Sequence, residues 1–129
     1  MSAADVLKLM QDEDVAYLDI RFVDPRGRML HVTIINDMVD EDFIEEGFMF
    51  DGSSVPGWKG IEASDMKLVL DTESVYIDPF YAEKTLAIHA SIVEPDTNEP
   101  YERAPRGTAE KAEAYLKASG IGDVSYFGP

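Results

Sequence analysis

The sequence contains no cysteine, and only 11 of its 129 residues are lysine or arginine. Without cysteine, a disulfide framework and a thiolate metal site are both excluded. The 26 acidic residues give a net charge of −15, which argues against binding to nucleic acid or to an anionic membrane surface. Nothing in the chain resembles a signal peptide or a membrane-spanning run, so we expect a cytoplasmic protein with no membrane contact.

The first third of the chain predicts a short helix and a β-hairpin. Ser2 followed by Asp5 is typical of a helix N-cap with its capping-box partner. The segment Asp24-Pro25-Arg26-Gly27 has proline and glycine where a type I turn requires them. Alternating apolar residues on both sides of this turn predict two strands with one buried face: Leu18, Ile20, Phe22, Leu30, Val32 and Ile34.

The rest of the chain predicts an α+β domain with a sheet of four or five strands. Asp40 is a candidate cap for a second short helix ending at Gly47, and Pro105 and Gly120 bound the clearest helix, with Ala104 at its N-cap. Alternation predicts three more strands, around Met66 to Leu70, Val75 to Ile77 and Leu86 to Ile92. The six methionines mostly fall in phase with apolar positions and are expected in the core.

The segment Phe50 to Gly60 has a composition that suits neither a helix nor a strand, and it is predicted to be a functional loop. Three glycines, one proline and the only tryptophan surround Asp51 and two serines. A phosphate-binding P-loop is one alternative, but Trp58 stands where its lysine belongs and the preceding stretch resembles a helix end. A surface loop with a half-buried tryptophan that serves only packing is the other alternative.

The remaining candidates for chemistry are weaker. His31 and His89 lie on the polar phase of strands, where a solvated or hydrogen-bonded histidine is more common than a ligand. The acidic residues between Asp40 and Glu46 lack the alternation and central glycine of a calcium loop, so we interpret them as a charged helix face. No metal site is predicted.

The loop resembles the F-D-G-S-S-x-x-G-[WF] loop in the N-terminal domain of bacterial type I glutamine synthetase. The resemblance covers nearly the whole chain, and implies a β-grasp (ubiquitin-like) fold for residues 1–103, followed at 104–129 by a helix and the first strand of an absent catalytic domain, at Val124 to Phe127. The supporting motifs are Ser64-Asp65-Met66, Ile77-Asp78-Pro79-Phe80, Lys84-Thr85-Leu86, Pro105-Arg106, Lys111-Ala112-Glu113, Tyr115-Leu116 and Phe127-Gly128-Pro129.

The resemblance also implies a function. The family uses ATP to phosphorylate the side-chain carboxylate of glutamate, and ammonia then displaces phosphate. Asp51 would be the catalytic carboxylate that binds ammonium in the neighbouring subunit's active site, Ser54 would support the loop or the closed site, and Trp58 would project with Asp51 and pack near the nucleotide. The family forms stacked hexameric rings, a homo-oligomer of twelve subunits, and uses ATP with Mg²⁺ or Mn²⁺ bound to its catalytic domain.

One expectation and two alternative functions follow for this chain. As an N-terminal fragment it should be inactive alone, since the resemblance places the metal-binding glutamates after Pro129. A non-enzymatic β-grasp binding module is one alternative, and it should present an apolar patch on its sheet. A regulatory homologue that has kept the fold and lost catalysis is the other.

Overall fold

The computed structural model describes residues 1–60 and 64–128, which form eight helices and strands. Their order is α1 (Ala3–Asp12), β1 (Tyr17–Val23), β2 (Met29–Ile35), α2 (Glu41–Glu46), β3 (Phe48–Asp51), β4 (Asp65–Asp78), β5 (Thr85–Val93) and α3 (Pro105–Ser119). Short 3₁₀ turns cover Asn36–Met38 and Gly52–Ser54.

The local signals of the first two helices are confirmed. The Ser2 hydroxyl accepts from the Asp5 amide at 3.1 Å, and the Asp5 carboxylate accepts from the Ser2 amide at 2.9 Å. Asp40 caps α2 by accepting from the Phe43 amide at 2.8 Å. The acidic residues of α2 are exposed around buried Ile44, so they form the charged helix face that the sequence predicted.

The five strands form one mixed sheet in the order β2-β1-β5-β4-β3. β1 pairs antiparallel with β2 and parallel with β5, while β4 pairs antiparallel with both β5 and β3. The predicted turn closes the β1–β2 hairpin, with the Gly27 amide donating to the Asp24 carbonyl at 2.9 Å. Two hairpins joined by a central parallel pair confirm the α+β class predicted from the residue patterns and the β-grasp topology implied by the family resemblance.

The core lies between one face of the sheet and the helices α1 and α2. Every second residue along a strand points into this core, so the alternation of apolar residues in the sequence identified the strands. The least exposed large apolar side chains belong to β1, β4, β5 and α1: Leu18, Ile20, Met66, Leu68, Leu86, Ile88 and Val6.

Four sequence expectations about the elements need correction. Residues Phe48–Asp51 are a strand, although their composition and the preceding helix obscured it. The segments around Met66 and Val75 are one strand of 14 residues with an irregularity between Asp71 and Tyr76, where the Ser74 hydroxyl accepts from the His89 amide at 2.9 Å. Four of the six methionines are at least 45% exposed: Met1, Met29, Met38 and Met49. They lie at the first residue of the chain, on the two edge strands and at the end of a 3₁₀ turn.

The fourth correction concerns Val124 to Phe127. These residues are exposed and form no strand, because no strand of residues 1–60 and 64–128 lies beside them. Pro129 of the same motif lies outside the described residues. The division of the chain after residue 103 stays a prediction.

Candidate functional site

The predicted loop begins as the edge strand β3 and continues as a series of tight turns. Phe50 and Asp51 pair with Met66 and Asp65 of β4. The Gly52 amide then donates to the Ser64 carbonyl at 2.7 Å, and a Cβ atom at Gly52 would lie 2.3 Å from the Met66 sulfur. Any larger residue at this position would have to displace the buried Met66 side chain.

Asp51 is exposed and its carboxylate is held by the next turn. Its Oδ1 atom accepts from the Ser53 amide at 2.9 Å and from the Ser53 hydroxyl at 2.6 Å. These two bonds from Ser53 hold the pKa of the Asp51 carboxyl below its ordinary value of 3.8. The site therefore displays a negative charge at neutral pH.

Ser53 was missed as a site residue, whereas Ser54 was predicted. Ser54 is exposed beside the 3₁₀ turn, and it lines a concave surface with Asp51 and Met29 of β2. The signal for Ser53 was present in the sequence, because an aspartate commonly hydrogen-bonds its own backbone two residues further on. The supporting role predicted for Ser54 stays a prediction.

Trp58 is buried, so the expectation that it projects from the loop with Asp51 is wrong. Its side chain is 6% exposed and its ring lies 5.8 to 6.0 Å from the rings of Phe22, Phe50 and Tyr101. Val55 is buried as well, at 4% exposure. These two apolar side chains fasten the loop to the core and leave the segment around Asp51 at the surface.

The structure of the loop excludes the P-loop alternative. Strand β3 does precede the glycines, so the helix end expected there is absent. However, a P-loop needs a helix after its glycines, and here a 3₁₀ turn of three residues is followed by a turn at Trp58.

The sheet face opposite the core carries a polar network that the sequence did not predict. Buried Asp19 accepts from Arg21 Nε at 2.8 Å and from Thr33 Oγ1 at 2.8 Å, and His31 Nδ1 lies 2.6 Å from the same carboxylate. Arg21 also forms an ion pair with Asp78. His31 is therefore a hydrogen-bonded histidine, as expected.

His89 lies on the same face. Burial, together with the charges of Arg106 and Arg21, lowers the pKa of His89 below its ordinary value of 6.5. Within residues 1–60 and 64–128, no three histidine, aspartate or glutamate side chains are grouped closely enough to hold a metal ion. No helix in these ranges is long and apolar enough to cross a membrane.

Together, the topology and the loop define a β-grasp domain that presents a charged aspartate on an anchored edge loop. Comparison with known proteins gives the particular family. The chain belongs to the family described as "Glutamine synthetase, beta-Grasp domain", whose model matches residues 14–95. The resemblance noted in the sequence is thereby confirmed.

The chain is similar to longer proteins. It is 72% identical to glutamine synthetase of Cereibacter sphaeroides over 126 residues, which is 98% of this chain and 27% of that protein. It is 50% identical over 128 residues to a protein of Cupriavidus pinatubonensis named 3-hydroxylaminophenol mutase, covering 99% of this chain and 27% of that protein. Glutamine synthetase of Plasmodium falciparum shares the fold, with a TM-score of 0.82 at 20% identity over 93% of this chain and 23% of that one. The chain thus spans about a quarter of the length of the proteins it matches.

Proposed function

We propose that this chain is the part of a longer glutamine synthetase that supplies Asp51 to the active site of a neighbouring subunit. The observation that carries the proposal is the exposed, ionised carboxylate of Asp51 on a loop fastened by buried Val55 and Trp58. Such a carboxylate reaches outward while its position stays fixed. Family membership supplies the reaction, in which ATP activates glutamate and ammonia displaces phosphate.

The role of Asp51 in this proposal is chiefly electrostatic. A carboxylate attracts ammonium by charge and accepts hydrogen bonds from it, and both effects strengthen when a partner subunit excludes water. The bonds from Ser53 keep Asp51 ionised and also make it a weaker base. Binding of the cation is therefore the larger part of its contribution, and removal of the ammonium proton is the smaller part.

Ser54 and Trp58 take smaller roles in this proposal. Ser54 is exposed near Asp51 and supports the closed site, while Trp58 acts from within the core as an anchor of the loop. The ATP site and the Mg²⁺ or Mn²⁺ site belong, in this proposal, to the rest of the longer protein in a cytoplasmic homo-oligomer of stacked hexameric rings. The isolated 129-residue chain is then inactive.

A non-enzymatic binding module is less well supported. A ubiquitin-like module would use an apolar patch on its sheet. In the described residues, the sheet face opposite the core instead carries an ionic network centred on Asp19 and Arg21. Because one relative is named 3-hydroxylaminophenol mutase, the second candidate function is a part of a longer enzyme that catalyses a different reaction.

The first prediction tests Asp51 in the longer protein. Asp51→Asn keeps the size of the side chain and removes its charge, so turnover with ammonium should fall about a hundredfold. Hydroxylamine is a neutral nucleophile near pH 7 and needs no cation capture, so turnover with it should fall much less. The measurement is glutamine and γ-glutamylhydroxamate formation by the same preparation.

Two controls sharpen this experiment. Asp12→Asn removes an equal charge from the exposed end of α1 and should leave both rates unchanged. The isolated chain should form neither product. Equal losses with ammonium and hydroxylamine in Asp51→Asn would show that Asp51 supports the loop or the interface, and the ammonium role would be wrong.

A further inference from the structure

The two halves of the loop are held by different parts of the molecule. Phe50 to Gly52 are held by pairing with β4 and by the Ser64 carbonyl. The second half, from Val55 to Gly60, contacts residues 94–104, the segment between β5 and α3, which we call the 94–104 connection. These contacts join residues more than 30 positions apart in the sequence.

Lys59 makes three contacts that hold the second half of the loop. Its ammonium group forms an ion pair with Glu94 of the connection and donates to the Asp65 carbonyl at 3.3 Å. It also lies 5.9 Å from the centroid of the Tyr101 ring. The Lys59 side chain is only 19% exposed, so its charge is partly shielded from water and these contacts are stronger than those of a surface pair.

Arg103 holds the turn that precedes Trp58. Its Nη1 atom donates to the Gly57 carbonyl at 3.1 Å. Gly57 has φ of +92°, a conformation that favours glycine, and the opposite side of this turn faces Pro25 of the hairpin, 3.8 Å from where a Cβ would stand. The turn is exposed to solvent and lies between the hairpin and the connection, and the Arg103 side chain that contacts it is 58% exposed.

An aromatic path leads from the connection to Asp51. The Tyr101 ring meets the Trp58 ring edge-on at 5.8 Å, and the Trp58 ring meets that of Phe50 at 6.0 Å. Phe50 immediately precedes Asp51 in β3. The connection is itself fixed, because the Tyr101 amide donates to the Ile92 carbonyl at 2.9 Å and the Ala104 amide donates to the Tyr101 carbonyl at 3.0 Å.

We propose that the 94–104 connection is a clamp that sets the position of Asp51, with Lys59 and Arg103 as positioning residues. The predicted effect of the clamp on catalysis rests on the proposed function. Its predicted effect on the conformation of the loop does not. Lys59 and Arg103 touch no reacting atom in this account. They act by fixing the second half of the loop, from which Trp58 and Phe50 fix the first.

The test on the 129-residue chain uses Lys59→Met, with Lys59→Arg as the variant that keeps the charge. Lys111→Met is the matched control, because Lys111 is exposed on α3. Amide hydrogen exchange at Gly52 and Ser53 reports opening of the loop, with the Ile88 amide as a reference for global unfolding. Fluorescence of Trp58, the only tryptophan, and NMR titration of the Asp51 carboxyl report its environment.

Lys59→Met should speed exchange at Ser53 about tenfold relative to Ile88, because a shielded charge-assisted contact is lost. The Asp51 pKa should move toward its ordinary value and Trp58 emission should shift to longer wavelength. Lys59→Arg should restore most of each change, and Lys111→Met should cause none. A lower unfolding midpoint with unchanged exchange at Ser53 and unchanged titration of Asp51 would overturn the clamp.

The second part of the test measures activity of the longer protein. Lys59→Met should lower turnover with ammonium about tenfold, less than Asp51→Asn does, and Lys59→Arg should recover it. If the chain shows the loosened loop while turnover with ammonium is unchanged, the clamp stands and the ammonium role of Asp51 fails. If the loop is not loosened, the clamp fails whatever the turnover.

Discussion

At the scale of single residues, Asp19 has an environment that its position in the sequence does not indicate. It sits on the polar phase of β1, yet it is only 1% exposed because Arg21, His31 and Thr33 surround it. A buried carboxylate is tolerated only when donors satisfy it. The three donors come from two neighbouring strands, so Asp19 holds β1 and β2 together on the face opposite the core.

The second prediction follows from this arrangement. Asp19→Asn keeps the volume but turns an acceptor of three bonds into a group that also donates, so the free energy of unfolding should fall by about 2 to 3 kcal/mol. Thr33→Val removes one donor only and should cost about 1 kcal/mol. Urea unfolding of the three proteins at pH 7 measures both values, and similar values for the two variants would contradict the account.

The third prediction is the pH dependence of the same difference. Burial pushes the pKa of Asp19 upward, but hydrogen bonds from His31, Arg21 and Thr33 outweigh burial and leave it below 3.8. Because the folded pKa lies below the unfolded one, the stabilisation is complete above about pH 5 and is lost as pH falls below 3.8 through the folded pKa. The difference between wild type and Asp19→Asn should therefore shrink from pH 5 to pH 2.5. A difference that is constant over this range would show that ionisation of Asp19 is not its source.

At the scale of elements, α3 begins without a side-chain cap. Ala104 occupies the N-cap with extended backbone, φ of −81° and ψ of 119°, and offers no acceptor to the first turn. It is also 1% exposed, so a large polar replacement would be crowded. The helix ends well, since Gly120 adopts the left-handed conformation and Lys117 pairs with Glu113 at 3.0 Å.

The fourth prediction is that Ala104→Ser stabilises the chain by about 0.5 to 1 kcal/mol. A hydroxyl adds one heavy atom and can accept from an orphan amide in the first turn. Ala109→Ser, an exposed position within the same helix, is the control and should lower stability by a few tenths of a kcal/mol or more. The unfolding midpoint measures both, and a lower midpoint for Ala104→Ser would mean that crowding at this buried position exceeds the gain from the cap.

The elements also show where sequence reasoning succeeds. Strands β1, β2 and β5 were predicted because an apolar face meets the core at every second residue. Strand β3 was missed because four residues next to glycines carry too little periodicity. The Asp19 network and the burial of Trp58 depend on contacts between strands and loops that no local pattern encodes.

At the scale of the whole molecule, the charge of −15 is spread over a small surface. Like charges at these distances repel, and the repulsion opposes the compact state. The shielded ion pairs of Arg21 and Lys59 stabilise the compact state, but they are few. Salt screens them less than it screens the repulsion between exposed charges.

The fifth prediction is that salt stabilises the chain. Raising NaCl from 10 to 300 mM shortens the screening length below the spacing of most surface charges, so the melting temperature should rise by about 2 to 4 °C. Thermal unfolding followed by circular dichroism measures it, with sodium perchlorate at equal ionic strength to separate screening from ion-specific effects. A falling melting temperature in both salts would mean that ion pairs dominate the electrostatic stability.

The two glycines that bracket β3 have a consequence for how the strand can pair. A Cβ at Gly47 would lie 2.2 Å from the Leu68 carbonyl oxygen, and one at Gly52 would lie 2.3 Å from the Met66 sulfur. Sliding β3 by one residue against β4 would bring a side chain into each of these spaces, and it would also turn Phe50 outward and Asp51 inward. The two glycines therefore disfavour a shifted alignment of β3 with β4, and the alignment that they favour keeps the carboxylate of Asp51 facing solvent.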